Sequence, residues 1–250
     1  MVPYDAVTTA LRRVADGLLS VLLAPVCAAC GKPLEYPTRG AVCDACWGAI
    51  VPVTPPLCDQ CGDALASWRA TSREQARCPR CRRGGAQIAR SRAIGLYDGS
   101  LRAIVHALKY DGRRMLARPL GQRLAAAGAD LLRGADIAVP VPLHRSRRRA
   151  RGFNQAEEIA RHLGLPVVPA LRRVRATSSQ TDLPAARRHA NVRGAVAVVR
   201  AARIHGSVVV LVDDVCTTGA TLEACAQVLR EAGAREIRAL TAARAALRPR

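Results

Sequence analysis

Two neighbouring carboxylates precede a run of threonines in the segment VVLVDDVCTTGAT, residues 209–221. The apolar run before the acids predicts a strand buried on both faces, which places the acids at the carboxyl end of a strand, where open α/β sheets bind ligands. A helical pattern follows, and the first amides of a helix bind phosphate groups. Two carboxylates can accept hydrogen bonds from the hydroxyls of a ribose, while the loop that follows them binds its phosphate. The segment therefore predicts a sugar-phosphate site. Its candidate residues are Asp213, Asp214, Thr217, Thr218, Gly219 and Thr221.

The alternative interpretation of this segment is an ordinary strand-to-helix turn. Acids and threonines are common helix caps, so each residue type alone has a purely structural explanation. The complete string, with its apolar run, two acids, a two-residue gap and then TTGxT, resembles the phosphoribosyl pyrophosphate (PRPP) motif of type I phosphoribosyltransferases.

A second segment, VPVPLHRSRRRARGFNQAEEIA at 139–160, has the same order of a strand end, a glycine-containing loop and a helix start. Its predicted loop is strongly basic, with arginines at 145, 147, 148, 149 and 151. A solvated run of charge is the alternative interpretation. In a parallel sheet, however, two neighbouring strand ends bring their loops together, so one loop could hold pyrophosphate and the other the ribose 5-phosphate.

Eight of the ten cysteines form four CxxC pairs, all before residue 82. Two thiolates at this spacing can grip one tetrahedral metal ion, and eight would hold two zinc ions as structural sites. Sequential pairing gives one cluster from the first two pairs and another from the last two; interleaved pairing is also compatible with the sequence. Redox-active pairs are the remaining alternative. The predicted ligands are Cys27, Cys30, Cys43, Cys46, Cys58, Cys61, Cys78 and Cys81.

The net charge is +20, and most of the basic excess follows residue 90. Such a charge could attract nucleic acid or reflect an arginine-rich genome composition. Aromatic residues make up only 3% of the chain, so platforms for stacking single-stranded bases are nearly absent.

The first 26 residues imitate a secretory signal, but cleavage there would cut into the first cysteine pair, so we expect a packed helix. No run approaches the ~20 apolar residues of a membrane span, which predicts no membrane association. Reduced thiolates favour a cytoplasmic location.

Strands alternate with helices after residue 87, which predicts an α/β fold with a mostly parallel sheet and helices on both faces. Predicted strands cover 91–97, 135–142, 165–168, 208–213 and 236–242. Predicted helices cover 100–110, 113–132, 154–163 and 220–232. We therefore predict two domains, an N-terminal helix with a double zinc-ribbon module at 1–86 and a second domain at 87–250.

Together these features resemble the ComF family of competence-associated bacterial proteins. The resemblance is carried by the four CxxC pairs, LKYDGRR at 108–114, PVPLHRSRRRARGFNQAE, TSSQTDLPAARRHANVRGAV and the PRPP-like loop. RGFNQAE after an arginine-rich segment is the most specific of these strings. The resemblance implies a type I phosphoribosyltransferase domain preceded by zinc ribbons.

It also implies roles for individual residues. Asp213 and Asp214 would bind the ribose hydroxyls and stabilise positive charge on the ribose during catalysis, and the threonine loop would bind the 5′-phosphate. The residues expected to face pyrophosphate, with Mg²⁺ neutralising it, are His144, Arg145, Arg149 and Arg151. The acceptor is not specified. A non-catalytic accessory of DNA uptake, or a PRPP sensor associated with nucleic acid or a competence protein, is the competing hypothesis.

Overall fold

The computed structural model describes residues 4–65, 76–85, 87–174, 194–199 and 204–246. The chain forms two compact units, each built from two chain segments. One unit combines residues 1–51 with 98–116, and the other combines 52–97 with 117–250. Residue 86, at the predicted domain boundary, lies outside the described part, and the division predicted there stays a prediction.

The first unit contains three α-helices, α1 (Tyr4–Leu23), α2 (Asp44–Gly48) and α4 (Gly99–Tyr110), among its described residues. The buried positions of α4 recur three or four residues apart, as expected for a helix with one apolar face; they are Leu101, Ile104, Val105, Ala107 and Leu108. The carboxylate of Asp16, buried on α1, accepts a hydrogen bond from the amide of Thr38 at 2.8 Å. The N-terminal helix is therefore tied to the segment between the first two cysteine pairs.

The second unit is built on a parallel sheet of four strands in the order β1-β6-β5-β2. Its strands are β1 (Arg90–Leu96), β2 (Ile137–Pro140), β5 (Val208–Cys216) and β6 (Glu236–Arg244). A separate antiparallel pair is formed by β3 (Leu171–Arg173) and β4 (Val196–Val198). The helices of this unit are α3 (Pro79–Arg82), α5 (Ala117–Ala127), α6 (Ala129–Leu132), α7 (Arg145–Arg151), α8 (Gln155–Ala160) and α9 (Ala220–Glu231).

Helices cover both faces of this sheet, as predicted. Successive side chains of a strand point to opposite faces. The face of Val209 and Leu211 shares a core with buried residues of α9, including Cys225 and Leu229. The opposite face includes Leu240, whose methyl groups lie against Gly128, between α5 and α6.

The second cysteine-rich segment packs on the outer edge of the same sheet. The amide of Ser91 in β1 donates to the carbonyl of Gln60 at 2.7 Å. A Cβ added at Gly62 would lie 2.5 Å from the carbonyl oxygen of Ser91, so the turn can approach this closely only with glycine. Among the described strands β1 is the last on its side of the sheet, so the cysteine-rich segment covers an edge that would otherwise expose unpaired backbone groups.

The helices and strands predicted from the sequence correspond well to those of the structure, with three differences. The predicted basic loop is wrong in conformation: residues 145–151 form helix α7. The predicted strand at 165–168 is reduced to a single parallel bridge between Val167 and Ala138. The long helix predicted at 113–132 is divided into a 3₁₀ turn at Arg114–Leu116, α5 and α6.

The segment TSSQTDLPAARRHANVRGAV falls mostly outside the described residues, which resume at residue 194. Within the described parts of the chain, no helix is both long enough and apolar enough to cross a membrane.

Candidate functional site

The two candidate acids lie where β5 outruns its neighbour β2. The last registered pair of these strands joins Pro140 to Val212, and the amide of Val141 donates to the carbonyl of Val212 at 2.9 Å. Beyond this point β5 stays paired with β6 on its other side, with Asp213 opposite Thr241. The acids therefore stand on a rigid strand, at the carboxyl edge of the sheet.

Asp213 and Asp214 are not equivalent. As neighbours in a strand they point to opposite faces of the sheet, with Asp213 on the same face as Leu211 and α9. Asp214 is only 4% exposed, whereas Asp213 is intermediate in burial. The amide of Asp214 donates to Oδ1 of Asp213 at 2.9 Å. Asp213 is thus the acid that solvent or a ligand reaches more readily.

The predicted phosphate loop begins α9 with a left-handed glycine. Gly219 is the N-cap residue, with φ of 77°, and its carbonyl accepts from the amide of Glu223 at 2.9 Å. Because glycine has no side chain, it leaves space in front of the first amides of the helix. The hydroxyl of Thr218 lies 3.4 Å from the amide of Ala220. This is the geometry of a helix N-terminus open to an anion.

The basic segment carries its arginines on a short helix rather than a loop. His144 caps α7, and its Nδ1 accepts from the amide of Ser146 at 3.3 Å. The exposed arginines are Arg145, Arg148 and Arg149, whereas Arg147 and Arg151 are half-buried. Residues four apart share one face of a helix, so Arg147 and Arg151 form the side of α7 that turns toward the protein.

The family-specific string RGFNQ serves as the joint between two helices. Gly152 ends α7 in the left-handed conformation, with φ of 79°. The side chain of Asn154 accepts from the amide of Ala156 at 3.1 Å and donates to the carbonyl of Val141 at 3.0 Å. It therefore caps α8 and attaches it to the end of β2. Gln155 in turn accepts a hydrogen bond from the guanidinium of Arg151.

Arg173 is a candidate that sequence reasoning missed. Its Nε and one terminal nitrogen are buried and have no hydrogen-bond partner among the described residues. Burial lowers the pKa of this guanidinium, and so does the charge of Arg147, whereas Asp213 acts in the opposite direction. The charges of Arg147, on the basic helix, and of Asp213, in the PRPP-like segment, thus both act on this one guanidinium of β3. Nothing in the string LRRVR distinguishes this arginine from its neighbours.

The two cysteines outside the CxxC pairs are buried. Burial raises the pKa of both the Cys216 thiol, in the PRPP-like segment, and the Cys225 thiol, in α9. A thiol with a raised pKa is a poor nucleophile at neutral pH, so neither is a candidate for covalent catalysis.

The eight remaining cysteines form two clusters, each made from consecutive CxxC pairs. Within each cluster the four sulfur atoms lie within 4.8 Å of one another. The Cys30 and Cys43 sulfurs are 3.9 Å apart, and those of Cys61 and Cys78 are 3.7 Å apart. Tetrahedral zinc with Zn–S bonds of about 2.3 Å requires sulfur separations of about 3.8 Å. The clusters are Cys27, Cys30, Cys43, Cys46 and Cys58, Cys61, Cys78, Cys81.

Backbone amides favour the thiolate at one position of each cluster. The Cys58 sulfur accepts from the amide of Cys78 at 3.3 Å, and the Cys27 sulfur accepts from the amide of Cys43 at 3.4 Å. Burial opposes ionisation of both thiols, but these and other hydrogen bonds outweigh it and lower the pKa of Cys58 and of Cys27, whereas burial raises the pKa of the Cys46, Cys61 and Cys81 thiols. Both clusters fit structural zinc, and the structure favours sequential over interleaved sets.

Comparisons with known proteins agree with this architecture. The double zinc ribbon domain family matches residues 18–82, and the phosphoribosyl transferase domain family matches residues 149–248. Competence protein F of Haemophilus influenzae is 29% identical, over 88% of this chain and 96% of its own. The DNA utilization protein YhgH of Salmonella typhimurium is 32% identical, over 84% of this chain and 92% of its own.

A solved structure, the allosteric regulatory enzyme of purine biosynthesis, overlaps half of this chain and 25% of its own, with 28% identity and a TM-score of 0.34. Because that overlap is small, the fold assignment depends on the family matches and on the sheet described above. The fold and the two cysteine clusters define a protein in which a double zinc ribbon precedes a phosphoribosyltransferase-fold domain. The chain belongs to the ComF family of competence protein F and its relatives.

Proposed function

We propose that this chain binds PRPP together with Mg²⁺ and transfers its phosphoribosyl group to an acceptor nucleophile, with release of pyrophosphate. The observation that carries the proposal is the junction of β5 and α9. There a strand that ends in two acids leads directly into a helix N-terminus opened by left-handed Gly219. Acids for ribose hydroxyls and amides for a phosphate thus belong to one continuous segment.

In the proposed reaction the bond between ribose C1 and the pyrophosphate oxygen breaks, and pyrophosphate leaves with the electron pair. A lone pair of the acceptor nucleophile forms the new bond to C1, and a proton that this nucleophile carries passes to solvent. The transition state resembles an oxocarbenium ion, as in glycoside transfer. The more accessible carboxylate of Asp213 is suited to stabilise this positive charge, and the less exposed Asp214 to hold a ribose hydroxyl.

The pyrophosphate group requires cations. We assign it to the side of α7 that carries Arg147 and Arg151, with the buried guanidinium of Arg173 beside it. Among the residues expected from the sequence, His144 and Arg151 remain candidates, whereas Arg145 and Arg149 lie on the exposed side of the helix. Mg²⁺, when bound with PRPP, supplies further neutralisation of the leaving group, and carboxylate oxygens such as those of Asp213 are ligands that it prefers.

Isothermal calorimetry with PRPP and MgCl₂ tests the proposal directly. We expect binding by the wild-type protein and its loss in the Asp213→Asn, Asp214→Asn double variant. Asp130→Asn, which removes a surface acid paired with Arg90, is the matched control and is expected to bind normally. An acceptor screen that monitors pyrophosphate release then tests transfer. Absence of any heat or melting shift at millimolar PRPP would refute the proposal.

A second candidate function is nucleic-acid association without catalysis. It is supported by the net charge of +20 and by the exposed side of α7, where Arg145, Arg148 and Arg149 lie. Glutamine at these three positions is expected to weaken DNA binding and to lower its dependence on salt. This candidate function would be excluded if an unrelated control protein of equal net charge bound DNA with the same affinity. Reduced thiolates are maintained in the cytoplasm, so that location is part of both proposals.

A further inference from the structure

The second cysteine cluster and the PRPP-like loop belong to the same compact unit, and two contacts and a shared cavity join them. From these contacts we infer that the second zinc ribbon is a working part of the phosphate site. It supplies Arg80 as a cation for the 5′-phosphate held by the β5–α9 loop, and it holds the base of that loop in place. The inference rests on the proposed function.

The first contact places an arginine against the loop glycine. Arg80 lies on α3, between the ligand residues Cys78 and Cys81. A Cβ added at Gly219 would lie 3.0 Å from Nη2 of Arg80. A metal ion held by both cysteines would fix the backbone of Arg80 from two sides. The guanidinium therefore lies where the loop would present its amides to a phosphate.

The second contact is a buried ion pair that links the ribbon to the end of the sheet. Asp63 follows the ligand Cys61 by two residues, and its Oδ1 accepts from Nε of Arg244 at the end of β6. Only 13% of the Asp63 side chain and 7% of the Arg244 side chain are exposed. Nη1 of Arg244 lies 3.6 Å from the sulfur of Cys216, the last residue of β5. The ribbon thus supports the residue from which the loop begins.

The third relation is a shared cavity of about 560 Å³, within the usual size range of ligand pockets. Its walls come from the ribbon, the loop and α9, and they include Gln60, Arg80, Cys216, Gly219, Glu223 and Arg244. Burial raises the pKa of Glu223, whereas the amide of Gln87 and the charge of Arg80 oppose that change. The positive charge of Arg80 therefore borders space that a ligand of the loop could enter.

These contacts give the ribbon a role beyond folding. A charge-assisted hydrogen bond to a phosphate is stronger than a neutral one, so loss of Arg80 should weaken every ligand that carries the 5′-phosphate. Pyrophosphate, which we assign to α7 and Arg173, should be unaffected. Removal of metal from the second cluster should have the same effect as loss of Arg80, whereas removal from the first cluster should not.

The test is calorimetry with three probes: PRPP with Mg²⁺, ribose 5-phosphate, and inorganic pyrophosphate with Mg²⁺. For Arg80→Gln we expect affinity for the first two probes to fall by roughly 10- to 100-fold and affinity for the third to stay unchanged. Arg83→Gln removes an exposed arginine just beyond the same short helix and is expected to bind like wild type. Metal analysis of each variant verifies that the ribbons remain loaded.

A second pair of variants compares the two clusters. Cys58→Ser with Cys61→Ser is expected to lose ribose 5-phosphate binding, and Cys27→Ser with Cys30→Ser to retain it. The inference would be overturned if Arg80→Gln bound PRPP and ribose 5-phosphate like the wild-type protein, or if it lost affinity for pyrophosphate to the same degree. Either result would leave the proposed function intact. Absence of PRPP binding by the wild-type protein would overturn both.

Discussion

The ion pair of Asp63 and Arg244 gives a quantitative prediction, because both side chains are nearly excluded from solvent. Removing one partner of a buried pair leaves the other charge without compensation and typically costs about 3–5 kcal/mol. For a unit of this size, each kcal/mol lowers the melting temperature by roughly 2–4 °C. Asp63→Asn and Arg244→Met are therefore each expected to lower the melting temperature by roughly 6–20 °C.

Differential scanning calorimetry of the zinc-loaded protein measures this change, and the double variant Asp63→Leu, Arg244→Met replaces the whole ion pair with apolar side chains. Because an apolar pair of similar volume can replace a buried ion pair, we expect the double variant to recover at least half of the loss. Glu157→Gln is the control: it breaks an ion pair with Arg161 whose side chains are 19% and 48% exposed, and should cost less than about 1 kcal/mol. The reasoning would be refuted if Asp63→Asn, with its zinc content unchanged, lowered the free energy of unfolding as little as Glu157→Gln does.

Three further predictions concern the loop, the joint and the metal. Gly219→Ala introduces a side chain at φ of 77° and 3.0 Å from Arg80. It should lower the free energy of unfolding in urea by about 1–3 kcal/mol and weaken PRPP binding in calorimetry. A variant with unchanged stability and binding would contradict the loop geometry. Asn154→Ala removes the cap of α8 and the bond to Val141, and an unfolding cost below about 0.5 kcal/mol would count against that joint. Metal analysis should find two zinc equivalents, and chelation should unfold the cysteine-rich segments; a reduced, metal-free and folded ribbon would exclude the zinc assignment.

The sequence was sufficient for those features that a single local pattern determines. The short, β-branched apolar run before Asp213 favours a buried strand, and β5 extends from Val208 to Cys216. Glycine before a helical pattern likewise indicated the start of α9, which begins at Ala220. The repeated CxxC spacing identified the eight candidate ligands, because a two-residue gap is itself the geometry of a bidentate thiolate site, whereas their grouping into sequential clusters comes from the structure.

Features that depend on contacts between distant segments could not be predicted. Its glycine and charge predict a loop for the basic segment, but it forms helix α7, and the hydrogen bond from Asn154 to Val141 joins the chain on either side of that helix. Arg80 and Arg173 carried no local signal, since each is one arginine among many in an arginine-rich chain. Their relevance comes from Gly219 and Asp213, which lie far from them in sequence.

The turn that packs on Ser91 of β1 has a practical consequence for anyone who expresses this protein in pieces. A fragment that starts at residue 87 would retain the four-stranded sheet but lose Gln60, whose carbonyl pairs with β1. The bare outer strand would then be free to pair with the same strand of another molecule, and such edges promote aggregation. A fragment that starts at residue 52 would keep the strand covered, and we expect it to be the more soluble of the two.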